Sequence, residues 1–327
     1  MNRAIVIYNP VSGAGNGDEV SARVVERLAL AGWNVERRST RGPQGATPIA
    51  EEVAGRVDFA VIVGGDGSIR ETIAGLGSCL SQVHLGIVPV GNANVVAREL
   101  GIPRDVSGAI DTLVGGHAVP VDVTLANSEI CIAMVGVGWD ALTVSYVSKL
   151  RSTRLGGLWY RLWADSVYVV AGLAAVSKIR IPRFHLRVDG AEQMRRYCAA
   201  VFCNLRTYGK GWAMAPDAHF QSGRIEYQAR ARALFIFVAW HVFSAMFGRR
   251  SPTFISDYGG GDSLHVRSDR PLPIQVDGDF RGYVTELSLE VRPGAVQIVV
   301  PQAMDARTSS AWSATAPARG SGEMATG

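Results

Sequence analysis

Lysine is almost missing from this chain. Only Lys149, Lys178 and Lys210 occur, so nearly all the positive charge is arginine. The net charge of +4 is small and scattered, which excludes the continuous basic face of a nucleic-acid-binding protein. It still suits nucleotide phosphates or an anionic membrane surface. Cysteine is also scarce. Cys79, Cys131, Cys198 and Cys203 show neither metal-ligand spacing nor a disulfide pattern, so they read as reduced core residues of a cytoplasmic protein. No apolar run reaches the roughly 18 residues of a membrane span. The chain starts at once with a strand-like run, Ala4 to Tyr8, which reads as the absence of a signal peptide. What is plentiful is apolar surface. At 47% apolar and 19% charged over 327 residues, the chain can bury the cores of two ordinary domains.

The organising stretch is Val61-Ile62-Val63-Gly64-Gly65-Asp66-Gly67-Ser68. Val57 to Val63 reads as a buried parallel strand. Ile69 to Leu76 resumes at helical spacing. A strand, a glycine turn and a helix start make an anion site. Glycine lets the backbone approach a phosphate, and the helix end offers unpaired N–H donors and a positive dipole. Asp66 cannot itself attract phosphate. An acid there holds Mg²⁺ or orients a hydroxyl beside the phosphates. The alternative is a tight turn that merely packs well.

Strands and helices alternate through residue 118. Ala4–Tyr8 is followed by the small-residue loop 9–17. Val20, Val24 and Leu28 then mark a helix stopped by Gly32. Val35 begins a short strand ending near Ser39-Thr40, and Thr47-Pro48 begins a helix. Leu85 to Val90 is a strand, and a helix follows Gly91–Asn94 and runs to Leu100. This pattern predicts a doubly wound parallel sheet over residues 1–118. The loops 9–17, 39–47, 64–68 and 89–94 all fall at its ligand-binding carboxyl edge. Residues 119–302 read as a mainly antiparallel β domain. Its expected strands are 119–125, 130–137, 184–188, 196–204, 264–266, 273–276, 284–291 and 297–300. Residues 303–327 are rich in Ser, Ala, Gly and Thr and read as a disordered tail. The apolar stretch 233–247 lies between Arg230 and Arg232 on one side and Arg249 and Arg250 on the other. It reads either as an interfacial membrane-docking helix or as a core helix.

Several motifs together carry a resemblance. They are Asn9-Pro10-Val11-Ser12-Gly13, Gly64-Gly65-Asp66-Gly67-Ser68 with Glu71, Pro89 to Arg98, Val121-Asp122-Val123, Gly136 to Ala141, Ala215-Pro216-Asp217-Ala218 and Asp277-Gly278-Asp279. In this order the chain resembles the diacylglycerol kinase and sphingosine kinase superfamily, specifically its bacterial lipid kinases. The resemblance implies an NAD-kinase-like nucleotide-binding domain followed by an antiparallel β-sandwich that accepts the lipid. It implies Mg²⁺-dependent transfer of the ATP γ-phosphoryl group to a lipid hydroxyl at a membrane surface.

Carried over by residue, the resemblance gives nucleotide contacts at Asn9, Pro10, Val11, Ser12, Gly13, Thr40, Gly64, Gly65, Asp66, Gly67, Ser68, Glu71, Gly91 and Asn92. Ser68 replaces a threonine and keeps its hydroxyl. Asn92 and Val95 depart from the family's Gly-Thr-x-Asn-Asp pattern. Asp66 is expected to be catalytic and, with Asp122, to hold the metal. Asp140 starts a helix and is expected either to cap it or to act directly. Asp279 stands where the family has a glutamate that takes the proton of the lipid hydroxyl. It is one methylene shorter, so the acceptor must sit closer. Without the motif set, Asp277-Gly278 would be an ordinary hairpin turn. In Pro216 to Gly223, Gln221 and Ser222 replace two acids of a structural metal site found in several members, so that second metal is expected to be absent. Diacylglycerol is the expected acceptor, with ceramide or a sphingoid base next. A regulator that binds nucleotide or lipid with weak catalysis is the alternative from another class. A homodimer is left open.

Overall fold

The computed structural model describes residues 2–12, 15–151, 153, 181–193, 195–208, 212–231, 252 and 255–304. The first region holds β1 (Arg3–Tyr8), α1 (Gly17–Leu30), β2 (Asn34–Ser39), α2 (Ala46–Val53), β3 (Phe59–Gly64), α3 (Asp66–Leu76), β4 (His84–Pro89), α4 (Val95–Glu99) and α5 (Val106–Gly115). The parallel strands lie in the order β2-β1-β3-β4. β3 is buried along its whole length. Its side chains have no solvent face because α1 packs with α5, and α2 with α3, over the sheet. That is why Phe59 to Val63 is a continuous apolar run.

Two starts differ from the sequence reading. α3 begins at Asp66 rather than Ile69, with extended Gly65 as its N-cap. The acid of the glycine loop is therefore the first residue of the helix. α2 begins at Ala46, so Pro48 is third in the helix, still within the turn whose N–H groups have no intrahelical partner.

The second region is antiparallel. It contains β5 (His117–Ala126), β6 (Glu129–Cys131), β7 (Met134–Gly138), α6 (Trp139–Arg151), β8 (Phe184–Val188), β9 (Ala191–Glu192), β10 (Ala199–Cys203), β11 (Thr207–Tyr208), β12 (Trp212–Ala213), β13 (Ile225–Arg230), β14 (Asp257–Gly261), β15 (Ser263–Val276) and β16 (Asp279–Val300). A separate core fills it, with Phe184, Phe202, Leu264, Val276 and Leu287 among its members.

The two short strands expected at 264–266 and 273–276 are one strand, β15, of 14 residues. Those expected at 284–291 and 297–300 are one strand, β16, of 22 residues. The prolines and glycines that look like breaks sit at irregularities. Pro271 lies where the β15–β16 register shifts between Arg267 and Leu272. Gly294, with φ +58°, lies where the β16–β5 register shifts between Arg292 and Val296. A bulge tolerates residues that a regular ladder does not. The single strand expected at 130–137 is instead split into β6 and β7.

β16 joins the two regions. It pairs antiparallel with β15 and β5, then runs parallel beside β4 through Gln297 and Ile298. Val296, Ile298, Val299 and Val300 are buried in the first core. Among the described residues one 14-stranded sheet results, with β5, β6, β8 and β9 off its main path. The stretch 233–247 and residues 305–327 lie outside the described residues. Among the described residues no helix is long and apolar enough to cross a membrane.

Candidate active site at the carboxyl edge of the parallel sheet

β2 and β4 flank the β1–β3 pair on opposite sides, so the winding reverses between β1 and β3, and the crevice of such a sheet opens there. Asn9 and Gly64 to Ser68 occupy this position. The Asn9 N–H donates to the Val63 carbonyl at 3.2 Å, and Asn9 Oδ1 accepts from the Val11 N–H at 3.1 Å. Val11 is exposed at the loop tip. Gly13 lies outside the described residues. The two ends of this loop are drawn together by Tyr8, whose hydroxyl donates to Asp18 Oδ1 at 2.8 Å.

The central loop touches the loop after β4 backbone to backbone. A Cβ on Gly91 would stand 2.5 Å from Gly65 Cα, so glycine is required there. Asp66 bridges the same two loops. Its Oδ2 and Oδ1 accept from the N–H groups of Val95 and Val96 at 3.1 and 3.0 Å. The acid of α3 thus caps the start of α4. Burial pushes the Asp66 carboxyl above the usual range, the Val96 and Val95 N–H groups oppose this, and the Asp277 charge adds to the rise.

Asn92 is exposed. The buried asparagine of this loop is Asn94, held in the left-handed region at φ 49°. Its Nδ2 donates to the Gly91 carbonyl at 2.9 Å. Its Oδ1 is buried without a hydrogen-bond partner. Such an atom is costly unless a ligand donor fills it. The contacts that the resemblance gives include Asn92 and not Asn94, although Asn94 stands at the asparagine of the Gly-Thr-x-Asn-Asp pattern, which is the signal in the sequence.

Glu71 holds the loop after β2. Its Oε1 and Oε2 accept from the N–H groups of Gln44 and Ala46 at 3.0 and 3.1 Å. With both oxygens on backbone donors, it shapes residues 41–46. Thr40, buried beside this loop, donates its N–H to the Tyr8 carbonyl at 2.9 Å.

The second region meets this edge through the β15–β16 hairpin. Asp277 and Gly278 have φ of 50° and 84°, the two left-handed residues of a tight hairpin turn. Asp277 Oδ1 accepts from the N–H groups of Ala133 and Met134 at 2.8 and 3.0 Å, and Oδ2 from that of Ile132 at 3.0 Å. This carboxylate holds the gap between β6 and β7, which is why the expected single strand is broken. Buried Asp140 also supports the hairpin. It accepts from Gln275 Nε2 at 2.9 Å, and Gln275 Oε1 accepts from the Gly278 N–H at 2.8 Å.

Asp279 differs from these acids. Its side chain is 55% exposed, and Oδ2 is bound by Arg70 Nη2 at 2.7 Å. Arg281 stands 3.6 Å from the same oxygen and donates to Glu129 at 2.6 Å. Arg70 is buried on α3, one turn after Asp66, and also donates to the Val276 carbonyl at 3.1 Å. Burial alone would lower its guanidinium; Asp279, Asp277 and Glu129 reverse this and hold it above the ordinary value. Nothing in the motifs marks Arg70, because its hydrogen-bond partners lie more than 200 positions away.

Asp122 does not join Asp66. Its oxygens accept from the N–H groups of Gly223 and Gly294 at 2.7 and 2.8 Å. It ties the 216–223 loop and the β16 irregularity to β5. Gln221 Nε2 fastens the same loop to the Pro120 carbonyl at 3.0 Å. Among the described residues no group of three or more His, Cys, Asp or Glu side chains is set to hold a metal ion. These donors do not build a cage for Mg²⁺. Such a cation is commonly carried by substrate phosphates with one or two carboxylates.

Glycine loops at the parallel-sheet edge are tied to a hairpin of the antiparallel sandwich that carries an exposed carboxylate, and the comparisons with known proteins make the chain an ATP-dependent lipid kinase, a phosphotransferase. The model of the diacylglycerol kinase catalytic domain matches residues 3–126, and that of the YegS C-terminal NAD kinase beta sandwich-like domain matches residues 133–300. A diacylglycerol kinase of Staphylococcus epidermidis is 33% identical over 285 residues, covering 86% of each chain. One of Bacillus subtilis strain 168 is 28% identical over 285 residues, covering 86% of this chain and 91% of its own. A solved diacylglycerol kinase structure from Bacillus anthracis strain Sterne shares the fold, with a TM-score of 0.68 at 17% identity over 93% of this chain and 98% of that one. The chain belongs to the diacylglycerol kinase family.

Proposed function

We propose that this kinase transfers the γ-phosphoryl group of ATP to the free hydroxyl of diacylglycerol at the cytoplasmic face of a membrane. The observation that carries the reading is the clasp of Arg70 on the β15–β16 hairpin. It ties Asp279 to the same helix whose N-terminus faces the phosphate loops. The names of the relatives supply the acceptor.

In this reading the phosphates lie against the N–H groups of loops 9–13 and 64–68 and the positive end of α3. Asn94 Oδ1 accepts a hydrogen bond from the nucleotide. Asp66 keeps the start of α4 in register with the central loop. Asp279 accepts the hydroxyl proton as the lipid oxygen bonds to the γ-phosphorus and the bond to the ADP oxygen breaks. The products are a phosphorylated lipid and ADP. A Mg²⁺ ion bound to ATP would supply charge neutralisation at the phosphates. Membrane attachment rests on the arginine-flanked apolar stretch 233–247.

The test is transfer of labelled γ-phosphate to a panel in detergent micelles: diacylglycerol, monoacylglycerol, ceramide, sphingosine and undecaprenol, with NAD as a soluble control. Labelled diacylglycerol is the expected product. Label mainly on ceramide or sphingosine would move the acceptor to the sphingoid class, and ATP binding without any labelled product would make the chain a binding protein. Asp279→Asn should lower kcat by about 10²–10⁴-fold and leave ATP binding intact. Unchanged kinetics would remove Asp279 from the base role.

A further inference from the structure

We infer that Arg70 is a positioning residue for the acceptor side of the reaction, holding Asp279 in place for the lipid hydroxyl. The inference rests on the kinase reading above and adds a residue to it.

The geometry is specific to a guanidinium. Arg70 uses its two terminal nitrogens on two parts of the same hairpin. Nη1 donates to the Val276 carbonyl at 3.1 Å and Nη2 to Asp279 Oδ2 at 2.7 Å. One contact fixes the backbone before the turn, and the other fixes the side chain after it. An ammonium is a compact point charge without this rigid fork. The side chain of Arg70 is 8% exposed, whereas that of Asp279 is 55% exposed. The arginine is the anchored partner, and the carboxylate is the exposed one. Both ionic contacts of Asp279 run through Oδ2, which leaves Oδ1 to meet a hydroxyl. Arg281 and Glu129 complete the cluster, with Glu129 3.9 Å from Arg70 and 2.6 Å from Arg281.

The same helix begins with Asp66, whose carboxylate fixes the 89–96 loop. α3 therefore carries two ties one turn apart, Asp66 toward the nucleotide side and Arg70 toward the acceptor side. Their separation is fixed by helix geometry. The short Asp279 side chain makes placement critical, because a displacement of about 1 Å at a reacting group costs on the order of a hundredfold in rate.

The test is a kinetic cycle on the full chain with diacylglycerol in mixed micelles and ATP varied. Arg70→Gln should lower kcat by about a hundredfold, with the KM for ATP within about twofold of wild type. Arg70→Lys, which can keep one contact, should fall between the two. In an Asp279→Asn background, Arg70→Gln should cause no further loss of kcat, because a positioning residue acts through the group it positions. Multiplying losses in the double variant, an unchanged kcat, or a rise in ATP KM in place of a fall in kcat would each overturn the inference. Thermal unfolding of each variant identifies any that fails to fold. If Arg70→Gln does, Arg70→Lys is put through the same cycle and judged by the same results. A wild-type chain that labels no lipid overturns the kinase reading and this inference together. An active wild type with multiplying losses overturns the inference alone.

Discussion

Asp66 in the parallel region and Asp277 in the antiparallel region have the same job. Each sits at a glycine turn, and each gives both carboxylate oxygens to backbone N–H groups of a neighbouring loop, Val95 and Val96 in one case and Ile132, Ala133 and Met134 in the other. The two regions differ in what that leaves for chemistry. In the proposed reaction the nucleotide would meet backbone donors, the first turn of α3 and the amide oxygen of Asn94, which is buried without a hydrogen-bond partner. On the acceptor side the exposed group is a side chain, Asp279, held by ion pairs. An acid within a glycine motif can therefore be the fastening of a site while its neighbour meets the substrate. Phosphate suits a surface of backbone N–H groups because it is an anion, whereas a hydroxyl that must lose a proton needs a nearby acceptor.

The sharpest break in this comparison is Asp66→Ala. We expect turnover to fall by about a thousandfold or more as the two nucleotide loops lose register. Loss of two charge-assisted hydrogen bonds should also cost about 3 kcal/mol, read as a lower Tm with cooperative unfolding retained. Near-normal turnover would show that the Asp66 tie does not serve the site. The counterpart, Asp277→Ala, strands three backbone N–H groups and should cost about 4 kcal/mol. That corresponds to a fall in Tm on the order of 10 °C, visible by calorimetry. A fall of only a degree or two would make the two acids unequal after all. The smallest effect belongs to Asp122 and the 216–223 loop. Since Asp122, Gln221 and backbone groups fasten that loop, EDTA should leave the Tm of the nucleotide-free protein unchanged. A drop of several degrees, restored by a divalent cation, would reveal a metal there.

Much of the first region can be read along the chain. Val61 to Ser68 announces a strand, a turn and a helix because each depends on neighbours within a few residues. The second region is harder. Pro271 and Gly294 look like strand ends, and only the pairing of β15, β16 and β5 turns them into irregularities within long strands. Likewise, the acids appear equivalent in sequence. Asp66, Asp122, Asp140, Asp277 and Asp279 are separated by burial and partners, which the spacing of motifs does not report.

The sequence by itself determined the parallel sheet, its glycine loops, the order of the motifs and so the family, since these follow from local periodicity and from residues that only certain turns require. Only the tertiary structure decided that β16 returns to lie beside β4, that Asp122 fastens a loop away from Asp66, and that Arg70 reaches across to Asp279. Those contacts join residues far apart in the chain, and the free energy that selects them comes from burial and pairing that exist only once both cores have formed.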